Sequence, residues 1–247
     1  MEDQDYRLIN AQDSFESPLD HWQDSQEPKP DPEEMLALLT SPEPQPRMIA
    51  ARAFCEIQDH RAIPHLIKLL QDACPLVRVS VAYALGRNTS PDVVEPLIHQ
   101  LQQDWNGYVR KGVVWALGNC GDARALGPLV DALRNDISAV RLWAASSLGQ
   151  MAKVGYDVAV GAVPCVIEGL RQDTMAAVRS NCAWALGQLC RELPSNVVYA
   201  GAIDALIEAL EEDEDMGVRE DAQSSLLRVG DPRGLQTIEA LQMDGLL

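Results

Sequence analysis

One ten-residue pattern, Val-Arg-x-x-x-Ala-x-Ala-Leu-Gly, recurs along this chain and limits its folds more than any other feature. It runs from Val77 to Gly86, and variants occupy Val109–Gly118, Val140–Gly149, Val178–Gly187 and Val218–Leu226. A weaker copy runs from Arg47 to Cys55. The aligned arginines (Arg47, Arg78, Arg110, Arg141, Arg179 and Arg219) are spaced by 31, 32, 31, 38 and 40 residues. A period of that size marks stacked repeats, each too small to bury its own apolar face.

A second block precedes most copies. It begins at Ile63-Pro64-His65-Leu66-Ile67, Val94-Glu95-Pro96-Leu97-Ile98, Leu126-Gly127-Pro128-Leu129-Val130, Val163-Pro164-Cys165-Val166-Ile167 and Ile203-Asp204-Ala205-Leu206-Ile207. Apolar residues at three- and four-residue steps make each block an amphipathic helix, A. Pro64, Pro96, Pro128 and Pro164 are expected near its start, where a missing N–H costs least. Asp122 and Asp231 are expected N-caps. The arginine pattern is then helix B of each hairpin.

An aspartate ends each helix A: Asp72, Asp104, Asp136, Asp173 and Asp213. The repeat arginine follows five or six residues later. Charges placed so regularly predict a ladder in which each arginine bonds an aspartate or backbone carbonyls of its own or the adjacent repeat. Insertions at Gly149–Gly161 and Gly187–Gly201 lengthen two copies and are expected as loops or longer helices on one edge. The expected fold is all-α: an α-α superhelix of about six helical hairpins over residues 35–247. Residues 1–34 carry four prolines and little periodicity, and read as a flexible acidic arm. Within the arm, Tyr6–Ile9 and Phe15–Trp22 are apolar islands.

Composition agrees with helix stacked on helix. Aromatic residues make up only 5% and include just two Phe, so the core must be thin and filled by Leu, Ala and Val. The net charge is −17, and it is local. Residues 1–34 hold eleven acids against two bases, and residues 204–221 hold nine acids against one base. The remainder is neutral. Nucleic acid is excluded as a partner, because phosphate contacts need clustered Lys and Arg. Anionic membrane surfaces are disfavoured for the same reason. The opening Met1-Glu2-Asp3-Gln4-Asp5 has no apolar run, and no segment has the length of a membrane span, so a cytoplasmic chain without membrane insertion is expected.

Aligned copies allow helix B to be read by position. Positions three, four and seven after the arginine are apolar and form the buried stripe: Val81, Ala82 and Leu85 in one copy, Cys182, Ala183 and Leu186 in another. Positions two, five and nine share a different face. That face carries Tyr83 and Arg87, then Trp115 and Asn119, then Trp143 and Gln150, then Trp184 and Gln188. Two readings are open: the rings floor a concave groove, or they pack between neighbouring B helices. The amide and arginine companions favour the groove, since buried amides need partners. Trp, Tyr and Arg also dominate binding hot spots. These eight residues are therefore the candidate partner-binding set.

No catalytic or metal constellation stands out. The four histidines are scattered, and none pairs with Cys at ligand spacing. The six cysteines form no CxxC and read as small buried hydrophobes. No Ser-His-Asp set or phosphate loop is visible.

A helix A like Val94-Glu95-Pro96-Leu97-Ile98 followed by a helix B like Val109–Gly118 resembles the phycobilisome-lyase class of HEAT-like repeats, over roughly residues 47–243. The acidic beginning and overall layout are similar to cyanobacterial HEAT-repeat proteins that bind an A-type iron–sulphur carrier. The resemblance implies one of two functions. The first is a non-catalytic scaffold for an iron–sulphur carrier, with no cofactor. The second is a subunit of a phycobilin lyase or bilin-protein chaperone acting on a phycobiliprotein, with a transient bilin. The shared motif is a packing motif, so it carries over no catalytic residue.

Overall fold

The computed structural model describes residues 30–245; most of the expected arm, including both apolar islands, lies outside them. Among the described residues the chain forms thirteen α-helices and no strand. Twelve of them pair into six hairpins, A then B: α1 (Pro32–Leu38) with α2 (Pro44–Ala53), α3 (Ile63–Leu69) with α4 (Pro75–Arg87), α5 (Pro91–Gln103) with α6 (Gly107–Cys120), α7 (Leu126–Asn135) with α8 (Ser138–Gln150), α9 (Tyr156–Gln172) with α10 (Ala176–Arg191), and α11 (Val197–Glu212) with α12 (Met216–Val229). Helix α13 (Pro232–Met243) is a further A-type helix packed on α11 and α12.

Local chemistry sets these boundaries. The side chains of Asp59, Asp122 and Asp231 each accept the backbone N–H two residues on, as N-caps should. Asp31 does the same for Glu33, with Pro32 in the first turn, so the helical array starts a few residues before the expected boundary at 35. Pro64 and Pro128 lie in the first turns of α3 and α7, as expected. Pro96 and Pro164 do not: they lie inside α5 and α9. Helix α5 starts earlier because Ser90 caps it and Pro91 opens it, and α9 starts earlier because the insertion after Gly149 was added to its N-terminus.

The B helices form the inner layer. Successive B helices pack on one another more closely than successive A helices do, which curves the stack with its B face concave. The glycine that ends each pattern allows this. A Cβ on Gly86 would stand 2.9 Å from the Ala116 Cα, and one on Gly149 would stand 2.9 Å from the Ala185 Cα. Gly118 and Gly187 face Ser147 and Ser225 in the same way across the α6–α8 and α10–α12 seams. The apolar stripe read from the sequence is fully buried behind this seam: Val81, Ala82, Leu85, Cys182, Ala183 and Leu186 all have no exposed surface.

The ladder forms, and its rungs run between hairpins. Arg78 donates from Nε and Nη2 to the two carboxylate oxygens of Asp104 in the next hairpin, at 2.7 and 2.9 Å. Its Nη1 donates to the Asp72 carbonyl of its own turn at 2.8 Å. Arg47–Asp72, Arg110–Asp136, Arg141–Asp173 and Arg179–Asp213 repeat that fork, with closest approaches of 2.6 to 2.8 Å. The row stops at Arg219, whose Nε donates to the Leu210 carbonyl. Burial alone would raise the carboxyls of Asp72, Asp104, Asp173 and Asp213. Donation from arginine and backbone N–H groups outweighs it and holds all four below the usual carboxylate range. The Trp105 ring lies over the Arg78 guanidinium at 5.9 Å and helps make this rung the most buried.

Asp104→Ala strands a buried guanidinium and is expected to lower stability by about 3–5 kcal/mol in urea unfolding followed by helical circular dichroism. Glu33→Ala breaks only the Arg61–Glu33 pair, whose side chains are 59% and 70% exposed. Its expected effect is under about 1 kcal/mol. Equal losses would show that the ladder contributes no more than a surface pair.

Candidate functional site

The concave face is built from helix B positions one, two, five and nine after each ladder arginine. The structure divides the eight candidate residues between two environments. Tyr83 and Trp115 are only 5% and 1% exposed, so they belong to the core and not to a groove floor. Their rings meet at 5.3 Å between centroids, and the Arg87 guanidinium covers Trp115 at 5.7 Å. The reason lies across the seam: the Trp115 indole occupies the space that a side chain on Gly86 would take. Its Nε1 is buried and has no hydrogen-bond acceptor.

Trp143, Trp184, Arg87, Asn119, Gln150 and Gln188 are half-exposed. Trp184 rests on Gly149, with its Cζ3 2.7 Å from a notional Cβ there, yet part of the ring stays open. Trp143 sits two residues after its arginine, nearer the A–B turn, and the Lys111 ammonium lies over its ring at 5.4 Å. Burial pushes Lys111 below the usual lysine range. Next to Trp143, the Asn181 amide donates to the Leu142 carbonyl at 3.0 Å and to Ser146 Oγ at 2.9 Å. The amide therefore supports the groove wall, and the expected polar border is partly structural.

The charge of this face differs from that of the whole chain. From α2 to α10, the four concave positions carry three cations, Arg52, Arg87 and Lys111, and a single acid, Glu56. Acid returns only at α12, where Glu220 and Asp221 occupy positions one and two. Asp221 accepts a hydrogen bond from Ser180. Burial nevertheless holds its carboxyl above the usual range, and Glu220 adds to the shift.

A second surface escaped the sequence reading. Leu76, Trp105, Tyr108, Ile137, Met175 and Met216 are exposed, and each lies within five residues before a ladder arginine on the A–B turns. Alignment on the arginines could have shown that every one of these turns from the second hairpin onward carries a large apolar residue.

Among the described residues no three His, Cys, Asp or Glu side chains gather as metal ligands. Cys182 lies in the core, where burial raises its thiol well above the usual range; burial also raises Cys165 to about 11 and Cys190 to about 12. Such thiols are poor nucleophiles and ligands at neutral pH. No described helix is long and apolar enough to cross a membrane.

Two variants check these environments. Trp115→Ala opens a core cavity and should cost about 3–5 kcal/mol of stability by thermal or urea unfolding; a loss under about 1 kcal/mol would place the ring outside the core. Asp221 opposes folding when ionised, because its folded pKa is raised. Asp221→Asn should therefore raise the melting temperature at neutral pH, with the gain vanishing as pH falls below about 4. A gain that persists in acid would contradict the burial of this carboxylate.

A family model described as HEAT repeats matches residues 32–111, 94–187 and 163–244. No curated protein matches the sequence. Among solved structures, an engineered protein is 26% identical, with a TM-score of 0.61, over 81% of this chain and 98% of its own. A designed armadillo repeat protein in complex with the peptide (KR)4 is 22% identical, with a TM-score of 0.60, over 80% of this chain and 98% of its own. The complex of CpcE and CpcF of phycocyanin lyase from Nostoc sp. PCC7120 is 20% identical, with a TM-score of 0.57, over 91% of this chain and 97% of that one. The last two share the fold. The three overlapping family matches span α1 to α13, and the chain belongs to the HEAT-repeat family.

Proposed function

We propose that this protein is a non-catalytic cytoplasmic scaffold that captures another protein along its concave B-helix face. The observation that carries this reading is the pair of half-exposed indoles, Trp143 and Trp184, framed by the half-exposed Asn119, Gln150, Gln188 and Arg87 on the B-helix face. Large rings half out of the core give up little order on binding and bury much area. The designed armadillo protein of like fold is in complex with a peptide, which supports a polypeptide as occupant.

Two partner classes follow from the sequence resemblance: an A-type iron–sulphur carrier and a phycobiliprotein. A second reading, a subunit of a phycobilin lyase or a bilin chaperone, is favoured by the fold shared with the phycocyanin lyase complex over 91% of the chain. In it, the open indoles would stack on the flat tetrapyrrole.

Titration calorimetry of the full chain against a purified A-type carrier and against phycocyanin tests the scaffold. Binding of either is expected. Trp143→Ala with Trp184→Ala should weaken it by about 2 kcal/mol or more while helical circular dichroism stays unchanged. Binding that is indifferent to both indoles, or no binding to either protein, would remove the reading. Stoichiometric uptake of free phycocyanobilin, seen as a visible absorption change, would replace it with the lyase alternative.

A further inference from the structure

Residues 1–29 precede the described array and share its surplus of acid: eight carboxylates against Arg7 and Lys29. They also hold Tyr6, Leu8, Ile9, Phe15, Leu19 and Trp22. The concave face is their chemical complement. Its cations Arg52, Arg87 and Lys111 lie on α2, α4 and α6, nearest the first hairpin. Apolar side chains lie between them: Ile49 is exposed, and Val79, Leu142 and Trp143 are half-exposed. Against these three cations the first half of the face carries one acid, Glu56, whereas Glu220 and Asp221 lie together at the far end on α12 and would repel a carboxylate-rich segment. An acidic, aromatic ligand is thus directed to the first half of the groove.

Reach is not limiting. The segment joins the array at Pro30, just before α1. Twenty-nine residues extend to at most about 95 Å. The four B-to-B steps from α2 to α10 cover about 40 Å. A ligand tethered this closely has an effective concentration on the order of millimolar, so even weak contacts keep it in place.

We infer that the segment of residues 1–29 docks in the concave groove between α2 and α8, as an internal ligand that a partner protein must displace. The inference rests on the reading of this face as a polypeptide-binding surface. Carboxylates of the segment meet Arg52, Arg87 and Lys111, and its apolar islands lie on Ile49, Leu142 and Trp143. Partner capture would then be gated, and neutralising or modifying the acids of the segment would open the groove.

Zero-length carbodiimide cross-linking of the dilute full chain, read by mass spectrometry, tests this directly, because the chain has only four lysines and, of the three described, Lys111 is the one on the concave positions. The expected product is an amide between Lys111 and a carboxylate between Glu2 and Glu27, within one molecule in an isotope-mixing control. The link should be lost in a full-length Phe15→Ser, Trp22→Ser variant. In a variant with Asp13, Asp20 and Asp24 changed to Asn and Glu16 to Gln, acetylation of Lys111 should quicken. Links from Lys68 or Lys153 to the segment at yields equal to Lys111, links only between molecules, or unchanged acetylation would each overturn the inference. Those outcomes leave the scaffold reading intact, since carrier and phycocyanin binding is measured separately.

Discussion

Each ladder guanidinium spans a joint between hairpins, and the stack depends on that placement. A solenoid of this kind has contacts only between neighbours, so its stability is close to a sum over joints. The Arg78 fork satisfies the carboxylate of the next turn and a carbonyl of its own turn together. Sliding one hairpin along its neighbour would strand a charge on each side, at several kcal/mol. The glycine seam acts at the same joint. With no side chain on Gly86 or Gly149, the B helices approach until the backbone of the next B helix, at Ala116 or Ala185, stands in the gap. The ladder thus sets register at the turns, and the seam sets spacing along the helices.

This division explains which features were legible in the sequence. Arg and Asp recur at fixed offsets, and a charge that must meet its opposite has few places to go, so the ladder could be read from spacing. The buried stripe was legible for the same reason, because Ala82 and Leu85 repeat with the helix period. Trp115 and Trp143 were harder. Both sit on the same helical face by angle, but one faces a glycine across the seam and the other projects past it toward the turn. Burial here is decided by the neighbouring repeat, and a single helix wheel has no access to that. The prolines at 96 and 164 were misplaced because helix starts depend on caps and insertions upstream of the repeating block.

Electrostatics then separates the surfaces that packing has built. Acids and bases balance in the middle of the chain, the ladder pairing part of them, which leaves the surplus acid at the two ends and a concave face with little acid before α12. Within that face Lys111 sits partly desolvated on Trp143, a cation held against a ring in place of a carboxylate. Such a site favours an incoming anionic side chain, because the new partner supplies the charge that burial has withheld. The exposed turn residues lie on the other side of the same ladder. Trp105 there already covers Arg78, so part of that strip shields the rungs from water.

Rigidity links these layers to recognition. The indoles of the groove are borne by helices whose spacing and register are both fixed, so little freedom remains to be lost when a ligand binds. An occupant that belongs to the same chain would convert this preorganisation into a threshold. If the internal segment fills the groove most of the time, the apparent affinity for any outside protein falls by the fraction of time the groove is open. A scaffold built this way rejects weak, merely acidic competitors and yields to a partner that also engages the part of the groove outside the α2–α8 stretch, at Trp184 and its amide neighbours. Selectivity then comes from the second half of the groove, although the charge that steers the encounter resides in the first.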